Sequence, residues 1–434
     1  MAAATGPVAL LDAHQLLIFL LQVGLLLGTA VLLGRLATRL RMPAVVGELS
    51  AGVLLGPSLL AHLAPGASAW LLPQDSGQFH LIDAVGQIGV LLLVGITGMR
   101  IDLSLARRNG AAVVYVSTGG LLIPLALGVG IGFVLPGTLL AVGTDRTVFA
   151  LFLGVALCVS AIPVIAKTLL EMNLLHRNIG QLIISAAALD DIAGWLMLSV
   201  VAAVATTGLR AGHVLLSIAY LIAIVVFAAV IGRPIVRATL RMATRSAEPG
   251  VSVAAAVVLL MLFAAGTQAL GMEAILGTLL GGMLIGSSRQ IDVERLAPLQ
   301  TFALAVLAPI FFATAGLRMD LTALRRPAVL VSAVVVLLVA VLGKFAGAYV
   351  GARTARLPRW EALALGAGMN ARGVIQVIVA MVGLRLGVLT TEMYTIIVLV
   401  AIVTSLMAPA TLRYAVEHIA VTAEEREREK VFSR

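Results

Sequence analysis

Charge and cysteine are both scarce in this chain, and each scarcity removes a class of protein. Only 12% of the 434 residues are charged, about half of what a soluble domain carries (roughly 25%). One cysteine, Cys158, excludes an internal disulfide framework and any cysteine cluster for zinc or iron–sulfur. Six histidines are scattered without metal-ligand spacing. Neither a phosphate-binding loop nor a glycine-rich dinucleotide fingerprint is present, so no nucleotide cofactor is expected, and an enzyme is not indicated. The first residues lack a basic segment before a short apolar core, so the N-terminus reads as a retained helix and not as a cleaved signal.

What fills the chain instead is apolar: 61% hydrophobic residues and a mean hydropathy of +1.09. These values describe an integral membrane protein whose main partner is the lipid bilayer. The net charge of +9 could suggest nucleic acid, but the arginines fall in loops between apolar runs, where membrane topology explains them. A spanning helix needs about 20 mostly apolar residues. That rule gives thirteen spans, at roughly 13–33, 43–63, 80–99, 111–136, 147–172, 179–207, 213–240, 250–271, 272–288, 299–319, 328–351, 360–384 and 391–413. The eighth and ninth nearly fuse at Gly271. Counted with the adjoining span ends, the loops after odd-numbered spans and the C-terminal tail hold 22 of the 30 Lys and Arg, and those after even-numbered spans hold six. The remaining two, Lys344 and Arg372, fall inside spans. By the positive-inside rule the N-terminus is outside and the C-terminus cytoplasmic. The tail, 414–434, is short and charged, too short for a regulatory domain.

Two pairs of segments match at one displacement. "TGMRIDLSLARR" (97–108) and "AGLRMDLTALRR" (315–326) share six of twelve residues, and "AVVGELSAGVLLGPS" (44–58) and "AILGTLLGGMLIGSS" (274–288) share seven of fifteen. Each pair is seven spans apart. Seven is odd, so equivalent segments cross in opposite directions, which is an inverted-topology repeat. Repeat one covers 13–207, a linker helix 213–240, and repeat two 250–413. Such folds place the substrate near the midplane, at broken helices in corresponding positions of the halves. The fifth span carries "CVSAIPVIAK", with Ser160 and the donor-less Pro163. The twelfth carries "GAGMNARGVIQV", with Asn370, Arg372, Gly373 and Gln376 in an apolar run. Irregular backbone at that depth survives only where protein or a watery cavity satisfies it.

The sixth span contains "ALDDIAGW", with Asp190 and Asp191 near its centre. A charge at the bilayer centre costs about 2.5–3.5 kcal/mol on insertion scales. Adjacent helical residues point about 100° apart, so one acid should reach the cavity while its neighbour meets a partner on another helix. A desolvated carboxylate in a cavity is contested by a proton and a metal ion, and that competition is a minimal antiport mechanism. A plain helix–helix hydrogen-bonding pair is the other reading. Lys344 could snorkel, Arg372 could cap broken-helix carbonyls or neutralise an acid, and Arg318 could be an interfacial arginine.

The chain resembles the second group of monovalent cation:proton antiporters, which includes Kef-type transporters and plant cation/proton exchangers. The resemblance runs over nearly all of 13–413. "MPAVVGELSAGVLLGPSLL" is similar to that family's helix-2 signature, "SAIPVIAKTLLEMNLL" to its unwound helix and "ALDDIAGW" to its ion-site motif. "PIFFATAGLRMDL" and "GKFAGAYVGARTARLPRWEALALGAGMNARGVIQVIV" resemble its late-helix motifs. The resemblance implies an all-α sodium/proton antiporter fold that exchanges Na⁺ or K⁺ for H⁺ by alternating access. Asp191 would carry the ion or proton, making it the one metal ligand, and Asp190 would sit beside it in a salt bridge. By motif Arg318 is the expected partner of Asp190, with Lys344 the runner-up. A homodimer in the cytoplasmic membrane is also implied. Two features depart from the family: Gln376 stands where many exchanger relatives have an acid, and an arginine at 318 cannot release a proton, which favours one-for-one electroneutral exchange. The alternatives are a gated potassium efflux pathway of Kef type, disfavoured because no nucleotide-binding domain follows residue 434, and an organic-solute symporter, which would not need adjacent midplane acids.

Overall fold

The computed structural model describes residues 12–40, 42–72, 76–100, 110–172, 174, 176–207, 211–246, 248–288, 293–422 and 425. Within them the chain is helical, and no strand occurs among the described residues. Long apolar runs become helices because a lipid-facing backbone must satisfy its own hydrogen bonds. The helices are α1 (Ala13–Arg39), α2 (Ala44–Leu55), α3 (Ser76–Arg100), α4 (Gly110–Val134), α5 (Arg146–Cys158), α6 (Ile162–Glu171), α7 (Asn178–Thr207), α8 (Ala211–Phe227) and α9 (Arg233–Ala243). Then come α10 (Pro249–Ala269), α11 (Ala274–Ser287), α12 (Ala297–Phe302), α13 (Ala308–Leu317), α14 (Pro327–Thr354), α15 (Arg359–Met369), α16 (Val374–Arg385) and α17 (Thr391–Val416). Local signals mark many ends. Asp12 and Asp145 accept backbone N–H groups at the starts of α1 and α5, and Pro249 and Pro327 open α10 and α14.

Among the described residues, ten helices are long and apolar enough to cross a membrane, and α15 with α16, bent by 44° at a four-residue break, make eleven when counted as one span. α5 and α11 are shorter apolar helices. The near-fusion read at Gly271 is a real turn: Gly271 takes φ +75°, a left-handed conformation that ends α10 before α11 begins. The repeat residues Arg107 and Arg108 lie outside the described residues. Leu32, Leu262 and Val331 are more than half exposed, as expected of side chains that face lipid.

The helices sort into two bundles. In the first, α1 packs on α2, α2 on α13, α3 on α11 and α13, and α10 on α11. In the second, α4 packs on α5 and α14, α15 on α14 and α17, α16 on α17, and α7 on α4, α5, α6 and α15. α8 and α9 connect them, and α7 passes against α11. Their buried cores are arranged unequally. At the end holding Arg146, Arg318, Arg326 and Arg385, one cluster joins both bundles: Leu93, Ile275 and Phe311 of the first with Phe149, Trp195 and Ile397 of the second. At the arginine-rich end the cores are separate. Ile183, Leu365 and Leu412 belong to the second bundle's cluster, while Ile96, Leu240 and Leu260 belong to the first bundle's.

Candidate functional site

The second bundle contains two helix breaks that touch. α5 stops at Cys158, Val159 turns extended (φ −72°, ψ 144°) and α6 restarts at Ile162. α15 stops at Met369 and α16 restarts at Val374 after Gly373. Breaking a helix frees backbone groups that must find partners, and here much of the compensation comes from the other break. The Ala161 N–H donates to Ala371 O at 3.3 Å, and Ser160 Oγ lies 3.1 Å from Met369 O. Lys344 Nζ donates to Cys158 O at 2.5 Å, and Ser405 Oγ donates to Arg372 O. Gly373 lets the second break approach α6 closely, because a Cβ there would lie 2.6 Å from Val164 Cγ2. The side chain of Pro163 lies outside the described residues.

Asp190 is fully buried and fully bonded. Lys344 Nζ donates to Oδ2 at 2.5 Å, Ser160 Oγ lies 3.0 Å from the same oxygen, and Ser117 Oγ donates to Oδ1 at 2.6 Å. The meeting depends on how closely α4 approaches α14. A Cβ on Gly119 would lie 2.4 Å from Gly347 O, and one on Gly347 would lie 2.3 Å from Gly119 O. The backbones therefore nearly touch, the small-residue packing that membrane helices use. That contact brings Ser117 of α4 and Lys344 of α14 onto the same carboxylate of α7. Lys344 also stands at the negative end of α5, where a cation is favoured.

The cation on Asp190 is thus Lys344, the runner-up by motif, and not Arg318. Arg318 caps the end of α13 in the first bundle, pairs with Asp83 at 2.6 Å and lies over the Phe79 ring at 5.2 Å. It is partly exposed, while Asp190 lies in the interior of the other bundle. The repeat position thus marks a helix end, where an arginine finds water and a local acid.

Asp191 contrasts with its neighbour. It is fully buried, yet neither carboxylate oxygen has a hydrogen-bond partner. The amide of Ile162, the first residue of α6, interacts with it electrostatically, so the acid faces the positive end of a half-helix. The second break holds the remaining polar residues. Arg372 is fully buried; Nη2 donates to Ala340 O at 2.7 Å, while Nε and Nη1 have no partner. Asn370 Nδ2 donates to Val341 O at 3.1 Å and its Oδ1 has none. Gln376 is fully buried with both amide atoms unpartnered. Among the described residues, no three His, Cys, Asp or Glu side chains gather as a metal site would require.

Ser117 was not anticipated from the sequence. Its only signal is a hydroxyl just ahead of the Gly119–Gly120 pair in an otherwise apolar helix. Tyr394, whose hydroxyl donates to Ala315 O of the first bundle at 2.7 Å, was also not singled out.

The arrangement offers one buried carboxylate whose charge is neutralised within the protein and one whose oxygens are free, at a crossing of unwound segments. Comparison with known proteins gives the family and the fold of the chain. The family model for the transmembrane sodium/hydrogen exchanger matches residues 26–418. The Na(+)/H(+) antiporter NhaS4 of Synechocystis sp. is 30% identical over 401 residues, 92% of this chain and 97% of that one. The Na(+)/H(+)-K(+) antiporter GerN of Bacillus cereus is 28% identical, covering 91% of this chain and 96% of that protein. Cation/H(+) antiporter 20 of Arabidopsis thaliana is 30% identical over 91% of this chain, which spans about half (48%) of the plant protein. The structure of the sodium proton antiporter MjNhaP1 from Methanocaldococcus jannaschii superposes with a TM-score of 0.71 at 17% identity, covering 93% of this chain and 99% of that one. At that identity the superposition speaks for the fold alone.

Proposed function

The chain belongs to the sodium/hydrogen exchanger family, and from that premise we propose that it is a secondary transporter exchanging Na⁺ or K⁺ for protons. Asp191 takes cation and proton in turn. The observation that carries the assignment is the contrast between the adjacent acids: Asp190 is neutralised by Lys344 and two hydroxyls, and Asp191 has no partner on either oxygen. A buried carboxylate without a counter-charge is costly, and a bound cation or proton removes the cost. A monovalent cation at Asp191 would find its further ligands among the carbonyls and side-chain oxygens of the two breaks, among them Asn370 and Gln376.

Exchange requires that the site open to each face in turn. The two bundles supply the parts, the first as a scaffold and the second as the carrier of both breaks. In this reading repeat one is 13–207, the linker 213–240 and repeat two 250–413, giving thirteen crossings when α5 with α6, and α11, are counted as spans. The arginine-rich end faces the cytoplasm, with the N-terminus outside and residues 414–434 as a cytoplasmic tail in the cell membrane. The assembly is a homodimer joined through the first bundle. The argument for electroneutral exchange from a proton-locked arginine loses its premise, because the partner of Asp190 is a lysine, whose proton is releasable.

The test is proton movement in inverted membrane vesicles on adding Na⁺, K⁺ or Li⁺, with Asp191→Asn beside the unmodified protein. The variant should lose cation-driven proton efflux. Full retention would remove Asp191 from the carrier role.

A further inference from the structure

The two ends of the molecule are not in the same state. At the arginine-poor end the bundles share one buried core, and at the arginine-rich end each has its own. Directional bonds join the bundles at the shared end. Tyr394 of α17 donates to Ala315 O of α13. The Asp320 N–H, just after α13, donates to Thr395 Oγ1 at 3.0 Å. Arg385 Nη2, on the last residue of α16, lies 2.5 Å from Glu273 Oε2, immediately before α11.

The third contact has the build of a clasp. Glu273 stands at the N-terminus of α11 and Arg385 at the C-terminus of α16, so each charge complements the dipole of its own helix before meeting the other. Glu273 is largely buried and Arg385 is 40% exposed. The pair is therefore strong enough to matter and wet enough to open. α16 is the half-helix that begins at the second break, so the clasp ties that break directly to the scaffold bundle. Gly271, at φ +75° two residues before Glu273, sits in the turn that presents the carboxylate.

We infer that the Glu273–Arg385 ion pair is a clasp that closes the arginine-poor face over the ion site, and that it must open once in every exchange cycle. Glu273 and Arg385 are positioning residues: they control access to Asp191 without binding its cargo. The structure on this reading is closed at the arginine-poor face and poised toward the arginine-rich one. The inference rests on the alternating exchange proposed above, and its test has a readout that does not require transport.

In a Cys158→Ser background, Ala401→Cys places a thiol two turns along α17 from Tyr394, on the same helix face and buried in the shared core. A membrane-impermeant maleimide added from the arginine-poor face should label it slowly. Glu273→Gln should raise the labelling rate from a few-fold to about tenfold, Arg385→Gln should raise it alike by breaking the same pair from its other side, and the double variant should add nothing to either. A rate unchanged by both single variants overturns the inference, as does a double variant whose rate is the product of the two. In parallel, Glu273→Cys with Arg385→Cys is bridged by a reducible bifunctional thiol reagent. Exchange should fall at least about tenfold and recover on reduction, which is what holding one of two required states predicts. Undiminished exchange with the bridge verified by mass overturns the clasp. Absence of exchange in the unmodified protein would instead sink the antiport reading, and the labelling result would stand on its own.

Discussion

The two helix breaks have the same backbone design and opposite electrostatics. In both, carbonyls released by the interruption are taken up by side chains or by the other break: Cys158 O by Lys344, Arg372 O by Ser405, Ala371 O by the Ala161 amide. At the first break every charge but one is answered, since Lys344 bridges Cys158 O and Asp190 and leaves only Asp191 open. At the second, Arg372 has a single carbonyl for three nitrogens and Gln376 has nothing. Backbone satisfaction is what the membrane demands of any break, so both meet it. Charge pairing is a separate matter, and only the first break has it.

The comparison can be broken by removing each buried cation. Lys344→Ala leaves Asp190 charged or forces it to hold a proton, and deleting one partner of a buried pair costs about 3–5 kcal/mol. Its thermal unfolding in detergent should drop sharply. Arg372→Met removes a cation whose only bond is to the carbonyl of a residue inside α14. That change should lie within about 1 kcal/mol of neutral, because the lost bond is offset by relief of an unpaired buried charge. Equal losses of melting temperature in the two variants would mean that Arg372 has a counter-charge in the working protein, and the asymmetry would be lost.

An effect of opposite sign to that of Lys344→Ala is expected at Gln376. Two unsatisfied buried polar atoms cost about 1–3 kcal/mol each, so Gln376→Leu should raise the melting temperature. If the amide serves the cation on its way to Asp191, the same variant should slow exchange. Stability gained with exchange unchanged would make Gln376 a passive wall, and the second break would then be purely structural.

Much of this was legible from residues alone, and the exceptions have definite causes. The breaks announced themselves as polar and small residues in apolar runs, and the acids as charges where charge is expensive. The pairing of Asp190 was not legible, because motif position brought Arg318 forward while the choice depends on which bundle each helix joins. Nothing local in "GLRMDL" reports that Arg318 caps a scaffold helix beside Asp83. Lys344 reaches Asp190 because Gly119 and Gly347 allow α4 and α14 to touch, a property of two distant segments together. Ser117 was missed for the same reason. The boundary at Gly271 was blurred by hydropathy, which does not register a left-handed φ.

A further set of contacts, made by the segment after α17, ties α15 to the start of α7. His418 stacks on Trp360 at the start of α15 with ring centroids 3.9 Å apart. Seven residues on, Glu425 Oε1 accepts the Asn178 N–H that opens α7, at 2.7 Å, while its carboxylate pairs with Arg177 at 3.3 Å. The tail thereby holds the helix of the acids and the helix entering the second break at their arginine-rich ends. Burial alone would raise the Glu425 carboxyl, but N–H donors from Thr422 and Asn178 and the Arg177 charge outweigh it and hold it below the ordinary glutamate value. Glu361 of α15 faces it as a like charge. A carboxyl lowered in the docked state favours docking fully above the undocked value, about 4.3, and the contribution is lost as pH falls through the lower docked value. Hydrogen exchange of 417–422, corrected for intrinsic rates, should be flat from neutral pH to about 5 and rise below about 4. Glu425→Gln should show the acid-like exchange already at neutral pH. Identical protection in the variant would mean that the aromatic stack alone holds the tail, and that the Glu425 contacts add nothing to the direct packing of α7 on α15.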